Sequence, residues 1–299
     1  MNPLQYWQLD VFAERPLAGN GVAVFTATQG LSPATMQALT QELRQFESIF
    51  LQPCDAPRSY AARIFTLEEE LPFAGHPLLG AAALLHHLHG PVEHNEQTQW
   101  TLQLAAKTVQ LSTRRQGRGF YAEMDQGQAA FGAVLATEEA RAVAQAFSLT
   151  AAEQDLRYPA TVVSTGLPYL LLPVTSQGLA RARQTRNLDA ELAARGAAFV
   201  FLLDVEAQEG RTWDPAGLIE DIATGSAAGP VAAYLVRQGR RRHGEAFSLQ
   251  QGRFLGRPSR LDVCVNHDEA VSVGGAVQLL ARAELLVPTD ELETQPPSR

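Results

Sequence analysis

Short runs in which β-branched and aromatic residues alternate with polar ones fill the first third of the chain, at 6–12, 21–26, 48–52 and 60–65. Each predicts a strand. Between the second and third runs, Ser32-Pro33 places a capping residue ahead of a proline at the first helical position. This opens an amphipathic helix that turns Met36, Leu39 and Leu43 inward. The period changes again at Gly75-His76-Pro77, from which PLLGAAALLHHL runs to Gly90-Pro91, a glycine cap followed by a proline that cannot continue the helix. That helix is apolar almost all round, which in a soluble protein means burial on every side. It is predicted to be a core helix wrapped by strands, including those expected at 99–104, 107–113 and 119–124.

After the Gly/Gln-rich stretch 126–132 the pattern begins again, with an Ala-rich helix at 137–147 and a strand at 161–173. The domain boundary is placed there: an N-terminal half, 1–128, with the first core helix, and a C-terminal half, 129–299, with a second. The Pro/Glu/Thr-rich end from Pro288 to Arg299 lacks apolar periodicity and reads as a loose tail. An internal repeat at an offset of 150 residues supports the division. Gly75-His76 with Ala82-Ala83-Leu84-Leu85 aligns without gaps on Gly225-Ser226 with Ala232-Ala233-Tyr234-Leu235. Each copy follows an acidic residue, a short link and a glycine, and each precedes a block of strands. The fold class expected is α+β, with two pseudo-symmetric halves, each a curled sheet or barrel around a central buried helix.

With 299 residues, 45% apolar and 19% charged, the composition is that of an ordinary globular protein and the length suits two domains. A net charge of −8 and a pI near 5.4 repel phosphate backbones and anionic lipid, so neither nucleic acid nor membrane is expected as a partner. Cys54 and Cys264 stand far apart in no metal or CxxC spacing, which fits a reducing cytoplasm. The N-terminus carries no basic stretch followed by an apolar core, hence no signal peptide is read. GxSxG, Walker A, GxGxxG and HExxH patterns are absent, which argues against a hydrolase elbow, an NTPase, a dinucleotide site and a zinc protease. No metal or organic cofactor is expected.

Candidate chemistry gathers at the two repeated helix starts. Gly75 lets another group approach the backbone closely, and His76 is either a capping histidine or a polar group held where free N–H groups and the helix dipole attract a substrate anion. In the second copy, Glu220-Asp221-Ile222-Ala223-Thr224-Gly225-Ser226-Ala227-Ala228-Gly229-Pro230, the small residues serve close packing or expose main-chain donors to a ligand, and Thr224 or Ser226 is a candidate N-cap. A two-fold arrangement would point both helix N-termini into one interdomain cleft. Glu47 shares a strand face with Ile49 and Leu51. It is either an edge-strand glutamate facing water or a desolvated carboxylate with a raised pKa, usable as a proton carrier. His86, His87, His89 and His94 suggest a metal, but cationic groups at a helix C-terminus already complement its dipole. Arg240-Arg241-Arg242 reads as the solvated end of the second core helix. Arg257, in a Gly/Pro-rich loop at 251–259, either holds a carboxylate or braces the loop.

Six ordered blocks then carry a resemblance over nearly the whole chain: Leu9-Asp10-Val11-Phe12 with Arg15-Pro16 and Gly19-Asn20; Glu47-Ser48-Ile49-Phe50; Arg63-Ile64-Phe65-Thr66; Leu71-Pro72-Phe73-Ala74-Gly75-His76-Pro77; Glu220-Asp221 with Ala223-Thr224-Gly225-Ser226-Ala227; and Gln251-Gly252 with Gly256-Arg257-Pro258-Ser259. The sequence resembles the phenazine biosynthesis PhzF-like family, relatives of diaminopimelate epimerase and proline racemase. The resemblance implies the diaminopimelate-epimerase-like fold, an active site between the halves, a homodimer, and a cofactor-independent isomerase that shifts a proton on a small unsaturated or cyclic carboxylic acid. It implies Glu47 as the acid/base, with His76, Asp221 and Ser226 at the other matched catalytic positions and Gly75, Thr224, Gly225 and Arg257 holding substrate. The two cysteines of the racemase relatives are replaced here by Gly75-His76 and Gly225-Ser226, so two-thiol racemisation is not expected. Leu67 and Ile222 stand where family members usually carry proline, and Ile222 adjoins Asp221, which leaves substrate choice open. The alternative is a protein of the same fold that only binds a small acid or acts as a dimeric scaffold.

Overall fold

In the computed structural model, which describes residues 4–93, 96–286 and 292, the β-patterned runs of the first third pair into one curled sheet. His94 and all of the expected tail except Leu292 lie outside the described residues. The chain divides into two compact units, Met1–Met124 with Gly274–Arg299, and Asp125–Val273. The last strand therefore returns to the first unit, where the sequence had suggested one cut at 128/129.

The first unit contains β1 (Gln5–Val11), β2 (Asn20–Thr26), α1 (Pro33–Leu43), β3 (Glu47–Pro53), β4 (Ser59–Thr66), the short β5 (Glu70–Leu71), α2 (Gly75–His89), β6 (Thr98–Gln103), β7 (Thr108–Gln116) and the start of β8 (Gly119–Gln128). The second contains β9 (Ala130–Val134), α3 (Thr137–Gln145), β10 (Thr161–Ser164), β11 (Pro168–Pro173), α4 (Ser176–Arg181), α5 (Asp189–Ala193), β12 (Phe199–Asp204), β13 (Glu209–Thr212), α6 (Gly225–Arg237), β14 (Phe247–Gln251), β15 (Ser259–Val265) and the start of β16 (Ala270–Glu284). In the first unit the strands run β1-β2-β3-β4-β6-β7-β8, and the far part of β16 lies between β8 and β1, closing an eight-stranded barrel. The second unit runs β16-β15-β14-β13-β12-β11-β10-β9.

The two units repeat one topology. In the first, β2 and β3 are parallel across α1, and β4 and β6 are parallel across α2. In the second, β11 and β12 are parallel across α4 and α5, and β13 and β14 across α6. Parallel neighbours need a crossover of this length, which a helix supplies. One helix of each unit is the core. α2 is buried from Gly75 through His86 and packs on β1, β2, β3, β6 and β7. α6 is buried through most of its length and packs on β10, β11 and β15. The other helices cover outer faces: α1 sits over Ala23, Phe25, Phe50 and Phe65, with Ser32 Oγ accepting the Thr35 N–H at 3.2 Å as its N-cap.

Three expectations shift. Residues 126–132, the Gly/Gln-rich stretch at the expected domain boundary, fall in β8 and β9 apart from Ala129, because ladder bonds form between main chains whatever the side chains. The single strand expected at 161–173 is a hairpin turned at Gly166, whose φ of 131° suits glycine alone. Gly90 ends α2 with φ −84°, not in the left-handed form; a Cβ there would lie 2.7 Å from the His86 carbonyl oxygen, so close approach selects the glycine.

Candidate active site

In the first unit the structure brings Glu47 and His76 together. Glu47 opens β3, which is flanked by β2 and β4, so it is not on an edge, and only 7% of it is exposed. His76 is the second residue of α2 and 5% exposed. Its Nδ1 lies 3.4 Å from Glu47 Oε2 and 3.5 Å from Asn20 Nδ2. Burial pushes the His76 pKa down to about 3, the main chain of Gly21 partly opposing it. The imidazole is therefore neutral near pH 7, and its contact with Glu47 is a polar contact of a neutral ring, not an ion pair. His76 Nε2 is buried with no hydrogen-bond partner among the described residues, a costly state that ordinary structural histidines avoid. Gly75 begins α2, and its N-cap, Ala74, supplies no capping side chain.

In the second unit the structure gathers Asp221, Thr224, Gly225 and Ser226 at the start of α6. Thr224 Oγ1 donates to Asp221 Oδ2 at 2.6 Å and accepts from Gln251 Nε2 at 3.0 Å. Its side chain does not cap α6; its oxygen accepts from Gln251 instead of from the helix N–H groups. Gln251 is 1% exposed; its Nε2 also donates to the Asp221 carbonyl at 3.0 Å and its Oε1 accepts the Thr224 N–H at 3.0 Å. Every polar atom of that buried amide is engaged on the turn that carries Asp221. Ser226 Oγ lies 2.7 Å from the Tyr169 hydroxyl, and the Gly225 carbonyl accepts from Gln126 Nε2 at 2.9 Å. Gly229 makes room for Gln126 Oε1, so at this glycine the small side chain serves packing.

Arg257 sits half-buried in the loop after β14, its N–H donating to the Gly252 carbonyl at 3.1 Å. The loop rests on the Asp221 segment: a Cβ at Gly252, where φ is 80°, would lie 2.6 Å from the Ile222 carbonyl oxygen. Sequence reasoning missed Tyr169 and Gln126 as partners of the α6 turn. Tyr169 has the signature of any core strand aromatic, and Gln126 lay in the Gly/Gln-rich stretch at the expected domain boundary.

His86, His87 and His89 of α2 are used in packing. His86 is fully buried, with Nδ1 2.8 Å from Thr113 Oγ1, while His87 packs its ring on Trp7 and His89 on Tyr60. Among the described residues no group of three or more His, Cys, Asp or Glu is placed to hold a metal ion. No described helix is long and apolar enough to cross a membrane. Arg240, Arg241 and Arg242 follow the end of α6, and Arg240 pairs with Glu206.

Comparison with known proteins matches the family model described as phenazine biosynthesis-like protein over residues 9–282. The chain belongs to the phenazine biosynthesis-like family of isomerases. Trans-2,3-dihydro-3-hydroxyanthranilate isomerases from Pseudomonas fluorescens and Pseudomonas aeruginosa are 33% and 32% identical to it, over 85% and 86% of this chain and 87% and 88% of theirs. A solved Pseudomonas aeruginosa structure described as a predicted epimerase is 64% identical with a TM-score of 0.91, covering 95% of this chain and 100% of that one. A hydroxyproline epimerase structure from Agrobacterium vitis, 14% identical with a TM-score of 0.62 over 94% of this chain and 92% of that one, shares the fold alone. The fold of the family member is the diaminopimelate-epimerase-like α+β fold.

Proposed function

We propose that this isomerase moves a proton along a small unsaturated or cyclic carboxylic acid without a cofactor, with Glu47 as the carrier. The observation that carries the reading is the buried Glu47 beside a neutral His76. A charged imidazole at that distance would hold the carboxylate in its ionised form, whereas beside a neutral one the carboxylate can take and return a proton. Glu47 accepts the proton from an activated carbon, the electron pair spreads into the unsaturated acid, and the protonated carboxyl returns the proton to another carbon on the same face. No electron or group is gained or lost. The starts of α2 at Gly75 and of α6 at Gly225, where no side chain caps the first N–H groups, each suit an anion such as a carboxylate, and Arg257 is a counter-charge within the second unit. His76, Asp221 and Ser226 orient the substrate's polar atoms, and Thr224 acts through Asp221.

The substrate class is supported by the relatives named for trans-2,3-dihydro-3-hydroxyanthranilate. Pseudomonas aeruginosa supplies both one of these and the 64% identical epimerase-described relative, which favours a different acid for this chain. The same reading makes the protein a cytoplasmic homodimer in which neither Cys54 nor Cys264 forms a disulfide. The test is NMR of the purified protein in D2O with trans-2,3-dihydro-3-hydroxyanthranilate and a panel of cyclic unsaturated acids, with and without EDTA. Isomerisation or deuterium uptake in one acid, unchanged by EDTA, is expected. Turnover that EDTA abolishes and added metal restores contradicts cofactor independence.

A further inference from the structure

Glu220, the residue before Asp221, is held by a buried arginine. Arg211, on β13, is 2% exposed. Its guanidinium lies between the rings of Trp213 and Phe254, 4.6 Å from each centroid. Nε and Nη2 donate to the two carboxylate oxygens of Glu220 at 2.7 and 2.8 Å, and Nη1 donates to the Leu179 and Ala182 carbonyls at 2.7 and 3.1 Å. The main chain repeats the tie: Glu220 bridges to Trp213 and the Asp221 N–H donates to the Thr212 carbonyl at 3.0 Å.

A buried ion pair is a weak source of stability, since well-packed apolar residues of similar volume commonly replace it at no cost. What a bidentate, ring-stacked arginine supplies is a fixed direction. Successive side chains of an extended segment point to opposite sides. Holding Glu220 in the clamp therefore aims Asp221 the other way, where its carboxylate accepts from Thr224 Oγ1 at 2.6 Å. We propose that the Arg211–Glu220 pair positions Asp221 for the reaction, Arg211 and Glu220 acting through that carboxylate and touching no substrate. The inference rests on the proposed proton transfer, in which Asp221 takes part.

Three variants test it: Glu220→Gln, which keeps shape and removes charge, the double variant Arg211→Met with Glu220→Leu, and Glu47→Gln as the control for the reaction itself. Crystal structures of the first two without substrate, urea unfolding, and kcat and KM for the acid found active are measured. Expected is a double variant as resistant to urea as the wild type, with the Asp221–Thr224 hydrogen bond lost, kcat lowered roughly 10- to 100-fold by the misplacement and KM little changed. Glu220→Gln should fall between the two. A double variant with that hydrogen bond intact, or with wild-type kcat, overturns the positioning role, as does a kcat that falls only in step with stability. Full turnover by Glu47→Gln defeats the proton-transfer reading separately, because the crystallographic result does not depend on it.

Discussion

At the scale of single residues, the neutral His76 has a consequence for stability as well as chemistry. Its pKa falls from about 6.5 in the unfolded chain to about 3 in the folded one, so between those pH values the unfolded chain binds more protons. Stability from this residue is full above pH 6.5 and lost as the pH falls towards 3, by up to about 1.4 kcal/mol per pH unit. Urea unfolding at pH 7.5, 5.5 and 4.5 should show a shallower acid loss for His76→Asn than for the wild type; equal slopes would mean the ring is not held neutral by burial. Glu47 and His76 were picked out in the sequence, His76 by its Gly-His-Pro helix start and Glu47, which strand alternation left open between an edge glutamate and a proton carrier, by the family resemblance. Their contact was not, since 29 positions separate 47 from 76 and no local pattern encodes it. The engagement of Gln251 and Tyr169 was hidden for the same reason: a buried amide and a strand aromatic look alike whether or not they brace a site.

At the scale of elements, capping and period placed α1, α2, α3 and α6 and missed the short α4 and α5. Ser32 caps α1 as expected, and α1 covers a phenylalanine-rich outer face of the first unit. Ser32→Ala should cost about 0.5–2 kcal/mol in urea unfolding with kcat unchanged; a large fall in kcat would tie α1 to the reaction. α2 and α6 begin 150 residues apart, at Gly75 and Gly225, as the repeat required. The polar end of β8 escaped notice because Asp125, Gly127 and Gln128 are exposed and carry no alternation of hydrophobicity. The hairpin between β10 and β11 is marked by a single glycine, too little punctuation to split one apolar run into two strands.

At the scale of the whole molecule, no local sequence feature tells β16 which strands to pair with, so its return to the first unit could not be read in advance. Glycines record that return. A Cβ at Gly119 would run into the main-chain oxygen of Val277, and one at Gly274 would lie 2.7 Å from the Ala122 carbonyl oxygen, both where β8 meets β16. Backbone cannot step aside as a side chain can, so Gly119→Ala should lower stability by about 1–3 kcal/mol, read as an earlier urea midpoint; an unchanged midpoint would mean the two strands are less closely apposed. The barrel so closed holds α2, and α2 holds His76 against Glu47, which makes that carboxylate the point on which the account turns. The most direct measurement compares wild type and Glu47→Gln for isomerisation and deuterium uptake from D2O into the active acid, with binding of the acid followed by calorimetry. Retained binding and proton transfer slowed roughly 100- to 10,000-fold are expected; wild-type exchange in Glu47→Gln would remove Glu47 as the proton carrier.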